Sequence, residues 1–459
     1  MLLRHALPTL LATALGASAA LAQSDVQLPF LYGAPATVAN PARLQDHRVT
    51  VSLPSFAIDF SSPYAIDAIG EVRDGTLYLD AERLEVAIAE ADRGPGVDAR
   101  VETFGFNYRD PRGWQIGIAH ATRVHSRTLL PPDFIRLATR GNGAFIGETL
   151  EVAPTIAAQA YQEFTLRGAY ALTDALVIGV AAKYLSGSGA LSAEDNSLTV
   201  FTDDDIYRAT VTSDATVYSA GVPVSFEGLG FAVGDIERPL GAGTGFAVDF
   251  GAVWRPREDL EFGLAVRDLG SVSWSGGDAR EHRSEGSFTF AGYEGSLFTD
   301  EGPFDFGALA LLDSLSSAIE FESSPGSFRT TLPATVQATA RYSLGARTSA
   351  NAAVYATQTD AWRAGFGVGI TQGFGRFGQV GVLGGARAGG GYLGANLAVD
   401  LWGPQFYVAC DNLLTAFSPM SGRNAHLRAG VNLAFGAISK HRKRTVTGFY
   451  DTKVEGINK

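Results

Sequence analysis

The chain has 459 residues, 36 basic against 48 acidic side chains for a formal net charge of −12, and a single cysteine, Cys410. That balance argues against nucleic acid as a partner, and one cysteine excludes an intramolecular disulfide framework and a cysteine-built metal site. Charged residues make up 18% and glycine 54 of the 459 positions, against usual shares of about 25% and about 7%. Such a bias suits strands that pack closely and face lipid.

Met1 to His5 carries one Arg, Ala6 to Ala19 is an apolar run, and Ala20-Leu21-Ala22 precedes Gln23. These are the parts of a secretory signal peptide over residues 1–22. Residues 23–46 are then expected to form an N-terminal periplasmic or plug segment. No later stretch offers the roughly 18 consecutive apolar residues of a membrane-spanning helix. A membrane location for the exported chain therefore requires a barrel.

Period-two alternation supplies the strands. Candidates lie near 47–60, 97–109, 112–124, 159–171, 174–187, 197–203, 206–220, 245–256, 258–270, 281–293, 327–343, 347–358, 361–372, 376–388, 391–402, 404–412 and 425–437. Bacterial single-chain barrels have even strand numbers, so these candidates predict an all-β fold. It is a single transmembrane antiparallel barrel of about 14 strands, with 16 as the alternative, over residues 47–438. The first strand is interrupted by Pro54, where the apolar face changes parity from Val49, Val51 and Leu53 to Phe56, Ile58 and Phe60. A bulge or wall kink is expected there.

The clearest hairpin runs from Gly245 to Trp274. Phe246, Val248, Phe250, Ala252 and Trp254 share one face, and Leu260, Phe262, Leu264 and Val266 continue it, while Asp249, Glu261 and Arg267 fall on the other. The same reading puts Arg341, Arg363, Arg387, Asp400 and Arg428 inside, so a mixed-charge lumen network is expected. Cys410 shares the outward face of Phe406 and Val408 as a small apolar wall residue. Phe60, Tyr64, Trp254, Trp274, Trp402 and Tyr407 lie near strand ends, where they suit interfacial aromatic girdles.

Insertions interrupt the pattern near 61–96, 125–158 and 294–326. Asp80 to Ala91 reads as an amphipathic helix with Asp80 as N-cap and Leu84, Ile88 and Ala91 on one stripe. Pro131-Pro132-Asp133-Phe134 opens a second helix, and Asp305 to Phe321 carries Phe306, Leu309, Leu312, Leu315 and Ile319 at helical spacing. These short helices are expected to plug or cap the lumen. No catalytic constellation emerges, the seven histidines show no paired metal spacing, and no enzyme activity, cofactor or metal is expected. Asp203-Asp204-Asp205 reads as a solvated hairpin tip. Lys440-His441-Arg442-Lys443-Arg444 opens a basic tail over 439–459, which would meet anionic lipid or a periplasmic partner protein.

Several segments then resemble one family. Asn40-Pro41-Ala42 with Val51-Ser52-Leu53-Pro54-Ser55-Phe56, the hairpin from Gly245 to Trp274, Leu332-Pro333-Ala334-Thr335, and Tyr407-Val408-Ala409-Cys410-Asp411-Asn412-Leu413-Leu414 are similar to outer-membrane barrels of Bacteroidota, a family of unknown function related to FadL and PorV. The resemblance implies a FadL-like outer-membrane barrel of about fourteen strands with a plugged lumen. It implies either binding or passage of a small hydrophobic molecule, or a non-transporting barrel that anchors a surface, type IX secretion or gliding complex. One departure is the C-terminus: Phe435 closes the last strand and 24 residues follow it, where many such barrels end on an aromatic residue.

Overall fold

The computed structural model describes residues 26–438 apart from 32, 74–75, 92–93, 195, 205–207, 228–229, 237, 291–319, 359–360, 375–376, 388–389 and 419. Fourteen antiparallel strands close a ring. In chain order they are β1 (His47–Ser52 continued by Ser55–Ser61), β2 (Gly96–Arg109), β3 (Trp114–Leu129), β4 (Thr155–Ala171), β5 (Leu176–Ala193), β6 (Gly243–Arg257) and β7 (Leu260–Trp274). The remainder are β8 (Phe328–Thr331 continued by Thr335–Ser343), β9 (Thr348–Gln358), β10 (Trp362–Phe374), β11 (Gly378–Arg387), β12 (Gly390–Asp400), β13 (Pro404–Cys410) and β14 (Asn424–Ala437). Each pairs with its chain neighbour, and β1 closes the ring by pairing with both β2 and β14. All seventeen candidate segments are strands. Those near 197–203, 206–220 and 281–293 stand on the rim instead, leaving the expected fourteen in the wall.

Alternation decides which way each strand faces. Phe246 is 71% exposed and Phe250 on the same face 51%, whereas Ala247 and Asp249 between them are 2% and 4% exposed. Trp362, Phe366, Val368 and Ile370 likewise stand outside. A continuous outer surface of this kind is tolerable only in hydrocarbon, where a closed barrel leaves no unpaired edge. The wall therefore crosses a membrane.

The two ends differ. Connections 110–113, 172–175, 258–259, 344–347, 375–377 and 401–403 are short. At the opposite end, connections 62–95, 130–154, 194–242 and 275–327 are long, and their described residues build a cap. Its helix Ala81–Ala89 starts at Asp80, whose carboxylate accepts from the backbone N–H groups of Glu82 and Arg83 at 3.1 Å each. Leu84 and Ile88 on that helix pack with Ile69 and with Ile135 of a second helix, Pro132–Arg140. Both helices thus cap the rim and do not fill the lumen. The expected helix from Asp305 and the basic tail from Lys440 lie outside the described residues, as does the N-terminal signal segment.

What fills the short-turn half of the lumen is the segment from Val26 to Gln45. It contains a short helix, Ala34–Ala39, which six residues were too few to announce by periodicity. Its backbone is gripped from the wall: Arg341 donates to the Pro29 carbonyl at 3.2 Å, Gln379 to Phe30 at 3.0 Å, and Arg109 to Gln45. Asn40 grips in return, its Nδ2 donating to the carbonyls of Ala252 and Leu264 at 3.1 Å each. Buried backbone groups left free by an irregular strap need such partners.

Three aromatic positions differ from expectation, and one of them, Tyr64, packs into the cap cluster with Ile69 and Leu84. Trp274 is fully buried in the long-loop half of the lumen, its Nε1 donating to Thr330 Oγ1 at 2.8 Å and its ring stacked on Phe328. It fits because Gly187 and Gly243 stand against it, where a Cβ would come within 2.4 and 2.6 Å of the indole. Tyr407 also faces inward, against Leu28 and Leu31. Trp254 stacked on Phe262, and Trp402 beside Phe377, do stand outside at the short-turn end.

Candidate functional site

Midway down the lumen lies a belt of buried charge, created in part by a bulge. Val248 pairs with Leu269 and Phe250 with Val266, so Asp249 faces two residues, Arg267 and Asp268. Asp268 takes a left-handed φ of 59°, a conformation that aspartate tolerates better than most residues. Its N–H donates to Asp249 Oδ1 at 2.7 Å. As a result Arg267 and Asp268 both point inward, whereas strict alternation would send Asp268 to the lipid face.

Lys183 of β5 bridges that bulge, its Nζ 2.7 Å from Asp249 Oδ2 and 2.6 Å from Asp268 Oδ1. Arg123 of β3 joins Asp268 at 3.5 Å to Glu163 of β4 at 3.4 Å, and reaches Asp98 at 3.9 Å. Arg100 of β2 closes on Glu163 at 3.0 Å and Glu102 at 3.7 Å, while His125 lies 3.3 Å from Asp98. The network thus crosses six consecutive strands. Arg167 stands at its lower edge, donating to Thr37 of the plug at 2.7 Å. A water-accessible cavity of about 30 Å³ lies among these groups and Arg428, enough for one or two waters and far below the ~300 Å³ of a small-molecule pocket.

The residues singled out from the sequence divide into several local arrangements. Asp249, Arg267 and Arg428 line the belt cavity. Glu261 sits lower, 2.7 Å from Arg43 of the plug and 2.6 Å from Arg255, near the Arg341 that holds Pro29. Arg387 faces Asp59 at 3.7 Å and the ring of Tyr392. Asp400 accepts from Gln405 at 2.9 Å. Arg363, opposite Thr357 on β9, is half-buried and outside the belt. Lys183, Arg100, Arg123, Glu163 and Asp268 were not singled out. For the first four the inward parity of their strands was the available signal; for Asp268 there was none.

Pro54 separates the two segments of β1. The wall stays paired beside it through the Leu53 N–H, which donates to the Val431 carbonyl at 2.9 Å. A second bulge at Thr103 of β2 lies opposite, its hydroxyl 2.7 Å from His120 Nδ1.

A closed, plugged, lipid-facing ring with a charged belt is the architecture that known relatives can be set beside. Residues 41–411 match the family described as "Family of unknown function (DUF5723)". The chain belongs to that family. The expectation of a barrel family of unknown function therefore holds for this DUF5723 protein. Its structure is similar to the toluene transporter TbuX of Ralstonia pickettii, at 10% identity, 88% coverage of this chain, 94% of that chain and a TM-score of 0.42. The toluene transporter TodX of Pseudomonas putida gives 9%, 88%, 93% and 0.41, and a FadL homologue of Pseudomonas aeruginosa gives 10%, 87%, 94% and 0.42. No curated protein matches the DUF5723 chain.

Proposed function

We propose that this protein is an outer-membrane barrel, exported by its signal peptide and inserted with the short-turn end in the periplasm, that binds and passes a small hydrophobic molecule. Short periplasmic turns and long external loops are the usual arrangement of such barrels. The observation that carries the reading is the apolar packing inside the long-loop half of the lumen. Tyr161, Leu185, Val272, Trp274 and Leu332 form a buried apolar cluster there, where a water-filled pore is polar. An apolar interior there favours an apolar solute, which would enter by displacing these side chains, over a hydrophilic one, and the charged belt directly below would halt it until the plug moved.

Organic extraction of protein purified from native membrane, followed by mass spectrometry, should return a bound apolar compound. Reconstituted vesicles should take up the apolar fluorophore N-phenylnaphthylamine faster than empty ones. Extraction of no such compound together with uptake equal to that of empty vesicles would sink the proposal.

A second reading, a non-transporting barrel that anchors a surface, type IX secretion or gliding complex, is supported by the strap filling the short-turn half and by the water-sized cavity at the charged belt above it. Its partner would be a periplasmic or secretion-complex protein engaged through residues 439–459. Crosslinking in native membrane should then capture a reproducible partner that is lost when those residues are deleted. Equal capture by the intact and shortened chains counts against it.

A further inference from the structure

The ring is not equally tall all the way round. β13 has seven residues, fewer than the roughly 9–11 a membrane-crossing strand needs. At about 3.4 Å per residue and a tilt near 40°, it climbs about 18 Å of an apolar band about 25 Å tall. Pairing between β12 and β13 runs from Asp400 up to Ala395 opposite Cys410, and pairing between β13 and β14 stops at Leu427 opposite the same Cys410. Among the described residues, 390–394 and 424–426 therefore face a notch in the wall with no strand in it.

The helix Leu413–Phe417 stands in that notch, packed against β12 and β14. It is tied down from the inside: Asn412 Nδ2 donates to Asn424 Oδ1 at 2.7 Å and Thr415 Oγ1 to the Asn424 carbonyl at 2.6 Å. Behind it lies buried polar chemistry, with Gln27 donating to Asp411 at 2.8 Å and His426 3.3 Å from the same carboxylate. On its outer side Phe417 is 83% exposed and Leu414 55%. Phe406 and Val408, on the lipid face of β13 from which the chain runs into this helix, are exposed as well.

We propose that Leu413–Phe417 is a lipid-contacting stopper: Leu414 and Phe417 lie among acyl chains and complete the apolar band where β13 is too short, sealing the polar lumen behind the notch from the membrane. The height argument decides for acyl chains over water, because a helix that begins three residues beyond Cys410 starts below the top of the band. The chain's direct passage from the lipid-facing residues of β13 into the helix points the same way. A water-facing helix of this composition would instead leave a phenylalanine and a leucine solvated above a wall too short to isolate the lumen.

Spin labelling tests this. In a Cys410→Ser background, nitroxides at Phe417→Cys, at Val408→Cys in the lipid row and at Glu82→Cys on the cap are compared in reconstituted bilayers. Oxygen should dominate over the water-soluble nickel chelate as collision partner at 417, as at 408, with the reverse at 82. Nickel access at 417 equal to that at 82 would overturn the proposal. If Cys410→Ser does not fold, a Phe417→Trp variant in vesicles of brominated phosphatidylcholine gives the same reading. Its added emission should be quenched severalfold relative to unbrominated lipid, and unquenched added emission overturns the stopper.

Discussion

At Lys183 an ammonium is enclosed by Asp249 and Asp268 at 2.7 and 2.6 Å, and the consequence of removing it is asymmetric. Two desolvated carboxylates would be left side by side, and breaking a buried pair costs about 3–5 kcal/mol even where the pair's net contribution is near zero. Lys183→Met should therefore lower the unfolding midpoint of the detergent-solubilised barrel sharply, while Lys183→Arg keeps most of it; heat-modifiable gel migration against urea reads both. On the rim, His282 makes hydrogen bonds to Ser219 at 2.9 Å and Ser323 at 2.7 Å. Burial, and then the charge of Arg280, hold its pKa below the usual 6.5. The unfolded chain takes up that proton first, so the stability contributed by the neutral ring is present above pH 6.5 and fades as pH falls below it. Amide exchange in the strand Ala279–Phe290, corrected for its intrinsic rate, should quicken from pH 7.5 to pH 5. A His282→Gln variant should lose that dependence; an unchanged response would refute the assignment.

Elements were legible in proportion to how much of their pattern is local. Long alternating strands such as β10 announce both faces, because each residue's side is fixed by its neighbour's. Asp80 and the stripe of Leu84 and Ile88 announce the cap helix, since capping and amphipathicity act within two turns. Asp80→Ala should cost about 1 kcal/mol of helix stability, read as faster exchange over Ala81–Ala89 with the wall strands unchanged; uniform protection of that helix would contradict it. Asp268 was not legible, because a bulge places a residue by the pairing of two strands and leaves no mark on one. Nor was the inward turn of Trp274, whose space is provided by Gly187, distant in sequence. The helix Leu413–Phe417 fills a gap defined by the lengths of its neighbours, which no single segment records.

For the whole molecule, the ring and the strap inside it are separable in principle. The wall closes on itself through β1 and β14, whereas the strap from Val26 to Gln45 is held by side-chain contacts such as Asn40 to Ala252 and Arg341 to Pro29. Deleting residues 26–45 should leave a barrel that still resists denaturation by detergent but conducts ions in planar bilayers, while the intact chain stays closed. Equal conductance of the two would show that the closure lies elsewhere.

The sequence by itself determined that this chain is a lipid-facing barrel, because alternation, low charge and the lack of an apolar helix long enough to span are local properties that water and hydrocarbon sort without reference to distant residues. It left the wall at fourteen or sixteen strands, because which of the seventeen alternating segments pair into the ring and which stand on the rim is a matter of pairing between distant segments. Only the tertiary structure decided what occupies the lumen: which charges meet, where the strap lies, and which segment stands in the notch above β13. Those outcomes depend on register, bulges and unequal strand heights, and each of these belongs to a pair of strands or to the closed ring.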